Sequence, residues 1–218
     1  MKKLIIPVFG LLLLAISCKK KSSDPVVPTD KFMSFTSNSS WNYEQINNLS
    51  SIVSLYTLTS STRDSTAGTR SYHVFTNSSG PNEYYANIGT DYFTFRNLGA
   101  NFGGSSTELN YLKDAAVGTS WVQSVPVTIA SIPVTVTLTN TIAEKGINKV
   151  VKLTNYLNVI HVTTTMTIPG ATVVTDIQSY YAPRVGLITS TNKINITVPG
   201  FPAQTTDQVT NLISASIR

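Results

Sequence analysis

The chain has 218 residues, of which 41% are hydrophobic and 12% charged, with one cysteine and a formal net charge of +5. From residue 32 onward, ten basic residues stand against nine acidic ones, so this part offers no basic stripe for a nucleic-acid backbone. A single cysteine leaves no pair for a disulfide and no thiolate cluster for a metal.

Residues 1–17 have the pattern of a bacterial export signal. Lys2 and Lys3 form a positive start, an apolar run covers 4–16, and Ser17 supplies a small residue before the cysteine. A helix of that apolar length reaches roughly 20 Å, which is too short for the ~30 Å hydrocarbon core of a bilayer. We therefore predict a cleaved signal peptide over 1–17 rather than a membrane span.

Cys18 is the predicted lipid attachment site. The stretch Ala15-Ile16-Ser17-Cys18 resembles the lipobox of bacterial lipoproteins, although the usual leucine is replaced by Ala15. This resemblance implies a cell-envelope protein that reaches its membrane through acyl chains on Cys18. Lys19 does not resemble an inner-membrane retention signal, which favours the outer membrane and leaves the leaflet open.

Residues 18–31 are predicted to form the lipidated end and a disordered tether. The segment is polar, contains Pro25 and Pro28 and has no hydrophobic periodicity. Its lysines either rest on anionic head groups or are simply solvated, and both interpretations stay open.

Residues 32–218 are predicted to form one all-β domain, because they are rich in Thr, Val, Ile and Tyr and alternate between apolar and polar positions. We expect an antiparallel meander of about a dozen strands forming a curved half-barrel, a barrel or a sandwich. Predicted turns include Gly89-Thr90-Asp91 and Glu144-Lys145-Gly146. The spacing of Ser105 and Glu108 predicts one or two helical turns. The predicted strands cover 40–47, 51–60, 69–77, 82–88, 91–97, 119–130, 134–142, 147–153, 157–168, 171–181, 185–198 and 206–217.

Two apolar turns are the first candidate for a functional surface. Strand parity places the turns at 168–171 and 198–203 at the same end of the sheet. Ile168, Pro169, Val198 and Phe201 would then form a rim that admits an apolar ligand or contacts a partner protein. The alternative is that these residues fold back and cap the core.

Aromatic residues supply the alternative function, a carbohydrate-binding or adhesive module. Trp41 and Trp121 are the candidates for stacking on a sugar ring, if their faces are exposed. Where two tyrosines are adjacent, as in Tyr84-Tyr85 and Tyr180-Tyr181, at most one of each pair can join such a platform.

No residue is predicted to be catalytic and no metal or cofactor is expected. His73 and His161 have neither a second histidine nor a carboxylate at metal-ligand spacing, and alternation places His161 on the solvent face. The chain also lacks the G-x-S-x-G elbow of many serine hydrolases. We therefore expect a binding protein rather than an enzyme.

Several ordered motifs resemble a group of uncharacterised bacterial envelope lipoproteins. They are WNY at 41–43, VGTSW at 117–121, NVIHV at 158–162 and YYAPRVGLI at 180–188. In the last motif, Arg184 stands where the group has glycine. More loosely, the expected architecture is similar to half-barrel lipoprotein carriers that cradle acyl chains, which implies an apolar ligand.

Overall fold

The computed structural model describes residues 31–98, 104, 106–129 and 132–218. The predicted signal peptide, Cys18 and the tether up to residue 30 lie outside the described residues. Within these ranges the chain is all-β and antiparallel, as predicted. No helix in this part of the chain is long and apolar enough to cross a membrane.

Twelve strands account for the described secondary structure. Their bounds are β1 Ser40–Asn47, β2 Ile52–Ala67, β3 Arg70–Asn77, β4 Glu83–Ile88, β5 Asp91–Asn97, β6 Ser106–Lys113, β7 Ser120–Ile129, β8 Ile132–Val151, β9 Thr154–Thr167, β10 Thr172–Ala182, β11 Gly186–Thr197 and β12 Gln204–Ser216.

All strands belong to one sheet, in the order β6-β5-β4-β3-β2-β1-β12-β11-β10-β9-β8-β7. The first strand therefore pairs with the last, and β6 and β7 are the two edges. The edges meet where Trp121 of β7 donates from Nε1 to the carbonyl oxygen of Asn110 on β6, at 2.8 Å. The sheet thus rolls into a nearly closed barrel, which excludes the sandwich among the predicted alternatives.

The segment predicted to be helical is strand β6, and that prediction was wrong. Ser106–Lys113 pairs with β5 along its whole length, with one bulge opposite Tyr92 and Phe93. Leu109 packs against the apolar cluster of the interior, and pairing with β5 outweighs the local capping pattern. Ser105 lies outside the described residues.

The predicted turn at Glu144-Lys145-Gly146 was also wrong, because β8 runs through it as a single strand. Successive register shifts against β9 bend the strand here, and Gly146 takes a positive φ of 74°. The end of β8 reaches the outer face of β1, where Lys152 forms an ion pair with Glu44. Residues 144–158 therefore form a curved arm that we call the β8–β9 arm.

The N-terminal segment closes one end of the barrel. Phe32 and Met33 are each 5% exposed and belong to the main core cluster. The Phe32 amide donates to the Tyr92 hydroxyl at 2.9 Å, and the Arg184 amide donates to the Lys31 carbonyl at 2.6 Å. We call this end, where the chain enters the domain, the closed end.

The two apolar turns lie together at the opposite end, as predicted, because Thr172 pairs with Thr197 next to both. Ile168 is buried and Val198 is half-buried, and both pack in the second core cluster. Pro169 is exposed and Phe201 is 44% exposed. The predicted rim is therefore divided: its aliphatic members cap the core, while Phe201 and Pro169 face solvent.

Candidate binding site in the barrel lumen

Trp41 and Trp121 are core residues and present no face to a sugar. Trp41 is fully buried and donates from Nε1 to the Val185 carbonyl at 2.7 Å, and Trp121 is 9% exposed. Each indole is held by a backbone carbonyl inside the barrel wall. The alternative prediction of a sugar-stacking platform at these two residues was wrong, because the sheet rolls around both of them.

Tyrosines from several strands converge in the interior. Tyr43 of β1 stacks on Tyr56 of β2, with ring centroids 5.2 Å apart. Tyr111 of β6 lies 5.9 Å from Tyr85 of β4 and 5.5 Å from Tyr181 of β10. Since β6 and β10 are not neighbours in the sheet, the Tyr111–Tyr181 contact crosses the lumen.

Burial keeps these tyrosines in their neutral form. It raises the pKa of Tyr181 to about 12, and it raises the pKa values of Tyr43, Tyr85 and Tyr111 well above the ordinary value. At neutral pH the lumen therefore presents phenol hydroxyls that can donate or accept a hydrogen bond.

One acidic residue, Glu83, and one basic residue, Arg96, lie near these tyrosines. Glu83 of β4 accepts hydrogen bonds from the Tyr85 hydroxyl and from Nδ2 of Asn77, the latter at 3.1 Å. Arg96 of β5 lies within electrostatic range of Glu83 and of tyrosines on β2, β4 and β10. Arg96 has the parity of the buried Tyr92 and Thr94 on β5, and Leu98, two positions further on, packs against an inner core cluster, so the Arg96 side chain belongs to the inner face of the sheet.

Arg96 remains accessible to solvent although it points inward. Burial by itself would lower the pKa of Arg96, but the neighbouring tyrosines and Glu83 hold that pKa above its ordinary value. An eight-stranded barrel is just wide enough for its own side chains or one small ligand. A nearly closed sheet of twelve strands is wider, which is consistent with the solvent that reaches Arg96.

A set of aliphatic side chains, which we call the aliphatic wall, lies next to Arg96 and the tyrosines. Leu98 follows Arg96 by two positions, and Leu109 is paired opposite Thr94 on the neighbouring strand. Both belong to the second core cluster. Its other members come mainly from β7 to β11 and include Val125, Val127, Val134, Val136, Leu138, Met166, Ile168, Val173, Ile194 and Ile196. The lumen is therefore amphipathic, with tyrosines, Glu83 and Arg96 on one side and aliphatic side chains on the other.

Sequence reasoning missed Arg96 and Glu83, although alternation carried part of the signal. Adjacent tyrosines do point to opposite faces: Tyr181 enters the lumen and Tyr180 stacks on the outer face. The same alternation gives Arg96 the parity of the buried Tyr92 and Thr94 on β5. The sequence did not reveal which strands meet across the lumen.

A groove of about 330 Å³ lies on the outer face beneath the β8–β9 arm. His161 faces outward as predicted, but it is only 8% exposed, because neighbouring side chains of the outer face cover it. Its Nδ1 lies 2.8 Å from Glu144, and its ring stacks on Tyr180 at 4.1 Å. Lys149 covers the other face of Tyr180 at 3.8 Å, so this tyrosine has no face left for a ligand.

Ser60, His73 and Asp64 form a hydrogen-bond chain at the closed end. Ser60 Oγ lies 2.9 Å from His73 Nε2, and His73 Nδ1 lies 2.9 Å from Asp64. This order matches the donor and acceptor order of a serine-hydrolase triad. Ser60, however, is 1% exposed and its hydroxyl also lies 3.2 Å from the Phe35 carbonyl. A substrate carbonyl has no room beside Ser60, so the chain of bonds holds the N-terminal segment in place.

Within the described ranges, no group of three or more His, Cys, Asp and Glu side chains is placed to hold a metal ion.

Comparisons with known proteins add a structural likeness. No family model matches the chain, and no curated protein matches it. One similar solved structure is a crystal structure described as a putative lipoprotein from Parabacteroides distasonis. It is 11% identical, with a TM-score of 0.49, over 85% of this chain and 98% of that one.

Proposed function

We propose that this chain is a lipid-anchored protein of the bacterial cell envelope that binds an amphipathic small molecule in its barrel lumen. The observation that carries the proposal is the two-sided lining of the lumen. Leu98 and Leu109 begin an aliphatic wall, and the tyrosine hydroxyls and Arg96 lie next to it. A ligand with an apolar chain and a polar head would satisfy both sides.

The anchor is part of the same proposal. Acyl chains on Cys18 would hold the protein at a membrane, and Lys19 favours the outer membrane. The activity proposed is binding and release without a chemical step, because Ser60 is covered by the N-terminal segment.

Native mass spectrometry of the chain from Ser22 to Arg218, expressed without its anchor and purified without detergent, tests the proposal. We expect a reproducible added mass that extracts into organic solvent. A Leu109→Arg variant should lose that mass, because it places a charge on the aliphatic wall. Val53→Arg is the matched control, since Val53 is 55% exposed on strand β2.

Two results together would contradict lumen binding: a clean apo mass after purification, and no uptake of added alkyl-chain probes. The exposed Phe201 and Pro169 would then become the leading candidates for a contact with an envelope protein. Phe201→Asp should abolish such a contact without lowering the melting temperature, because Phe201 is outside the core clusters.

A further inference from the structure

We propose that Arg96 binds the anionic head of the ligand, a carboxylate or a phosphate monoester, while the alkyl chain lies along the aliphatic wall. This inference rests on the proposed function and specifies the chemical class of its ligand. It comes from the arrangement of charges inside the barrel.

Arg96 is a charge without a bonded partner in the described part of the chain. No hydrogen bond or ion pair within 4 Å holds its guanidinium there. Arg70 shows what a partnered arginine looks like in this fold, with Nε 2.6 Å from Glu108 and its guanidinium carbon 3.8 Å from the Phe93 centroid. An arginine directed into a barrel loses part of its hydration, so a protein normally gives it a counter-ion.

Glu83 is the candidate for that counter-ion, but its two oxygens are bonded to other side chains, and within the described residues no ion pair joins them to the guanidinium. One accepts from Asn77 and the other from the Tyr85 hydroxyl. Its charge lies close enough to favour the guanidinium electrostatically, while the guanidinium donors stay unbonded. The lumen therefore tolerates the cation and keeps its hydrogen-bonding fork available.

The shape of that fork selects the ligand head. A guanidinium donates two parallel hydrogen bonds to a planar carboxylate or to two oxygens of a phosphate. Tyr56 and Tyr181 stand within electrostatic range of Arg96, and burial keeps both hydroxyls neutral. Leu98, two positions along the strand, begins the wall that receives the chain.

A matched pair of fluorescent probes tests this inference. 11-(Dansylamino)undecanoic acid carries the anion, and its methyl ester has the same chain and fluorophore without the charge. We expect the acid to bind the wild-type domain roughly 10-fold more tightly than the ester near neutral pH. The preference should disappear below about pH 4, where the carboxylic acid becomes neutral.

Arg96→Gln should weaken binding of the acid by roughly 10- to 100-fold and leave ester binding within about twofold. Arg96→Lys should bind the acid with an affinity between those of the wild type and Arg96→Gln, because lysine keeps the charge but cannot donate two parallel hydrogen bonds. The control is Arg63→Gln, an exposed arginine on strand β2, which should change neither affinity. Near-ultraviolet circular dichroism of each variant confirms that the barrel is intact.

The outcomes separate this inference from the function on which it rests. Equal binding of acid and ester, or an unchanged acid affinity in both Arg96 variants, would overturn the anionic head and leave lumen binding standing. Failure of both probes to bind would contradict lumen binding itself. Displacement of the acid by acetate or inorganic phosphate alone would indicate a free-anion site and would also overturn the inference.

Discussion

Arg184 adopts a left-handed backbone conformation, with φ of 65°, which glycine adopts more readily than other residues. The turn between β10 and β11 thus keeps its geometry without the residue that suits it best. Its amide donates to the Lys31 carbonyl, so the docking of the N-terminal segment holds this conformation in place.

Arg184→Gly should raise the free energy of unfolding by about 0.5–1 kcal/mol, since relief of left-handed strain exceeds the added flexibility of the unfolded chain. Urea denaturation measures this change. Arg184→Ala removes the guanidinium and keeps the strain, so it should not stabilise. Equal stabilisation by both variants would show that the side chain, not the backbone, carries the cost.

The Ser60–His73–Asp64 chain gives a second residue-scale prediction. Ser60→Ala should lower the free energy of unfolding by about 1–3 kcal/mol, because the half-buried His73 nitrogen loses its partner. Ser50→Ala, at an exposed turn, should have little effect. The wild-type protein should not react with a fluorophosphonate probe, because Ser60 is covered. Stoichiometric labelling of Ser60 would instead identify a nucleophile and contradict a structural role.

At the scale of elements, the closed end depends on a close approach between the β10–β11 turn and the N-terminal segment. A Cβ atom on Gly186 would lie 2.7 Å from the Met33 sulfur and 3.1 Å from the Phe32 carbonyl oxygen. Gly186 also has a φ of 87°, which disfavours any side chain.

Gly186→Ala should therefore lower the free energy of unfolding by more than the strain of a positive φ alone. Gly170→Ala is the matched control, because Gly170 has a φ of 77° and open space around its Cα. We expect a loss of about 1–2 kcal/mol for Gly170→Ala and a larger loss for Gly186→Ala, measured by thermal and urea unfolding. Equal losses would mean that Met33 moves aside freely and that the segment is loosely docked.

The seam between β6 and β7 depends on a side chain where other strands use backbone pairing. Trp121→Phe keeps an aromatic ring and removes the bond to the Asn110 carbonyl, which should cost about 1–3 kcal/mol. Amide exchange should become faster in β6. Trp41→Phe removes a comparable bond to the Val185 carbonyl, away from the seam. The amide exchange rates of β6 should therefore stay unchanged in Trp41→Phe. Unchanged exchange in Trp121→Phe would show that the edges hold together without this bond.

At the scale of the whole molecule, burial of tyrosines makes the stability of the folded state sensitive to alkaline pH. The pKa is raised, mainly by burial, for Tyr43, Tyr56, Tyr72, Tyr85, Tyr92, Tyr111, Tyr156 and Tyr181. A pKa raised in the folded state stabilises the fold fully below the unfolded value of about 10, and this stabilisation is lost as the pH rises through the folded pKa.

We therefore expect the free energy of unfolding to fall steadily above about pH 10. At about pH 11 the folded protein should show much less near-ultraviolet tyrosinate absorbance than the protein in denaturant. Equal absorbance in the two states would mean that solvent and ions reach these tyrosines freely. This result would contradict the burial of the tyrosines that line the lumen.

The sequence predicted the elements better than their arrangement, for a physical reason. Alternation is local, so it placed β1 and β5 at their observed bounds and set the two apolar turns at one end. It was wrong at β6, where capping spacing mimicked a helix, and within β8, where a bulge mimicked a turn. The pairing of β1 with β12 and the contact of Tyr111 with Tyr181 join residues far apart in the chain, and no local pattern encodes them.

The position of the N-terminal segment also determines which end of the barrel the predicted tether joins. Lys31 lies against the β10–β11 turn, while Arg96 stands near the far end of β5, before Asn97. In the proposed function, a lipid on Cys18 would be attached through the closed end, so the Arg96 end is the one farther from the point of attachment. Residues 19–31, which reach at most about 45 Å when fully extended, would set how far this end stands from the lipid surface. The proposed ligand would then enter and leave the barrel at the end that lies away from the tether.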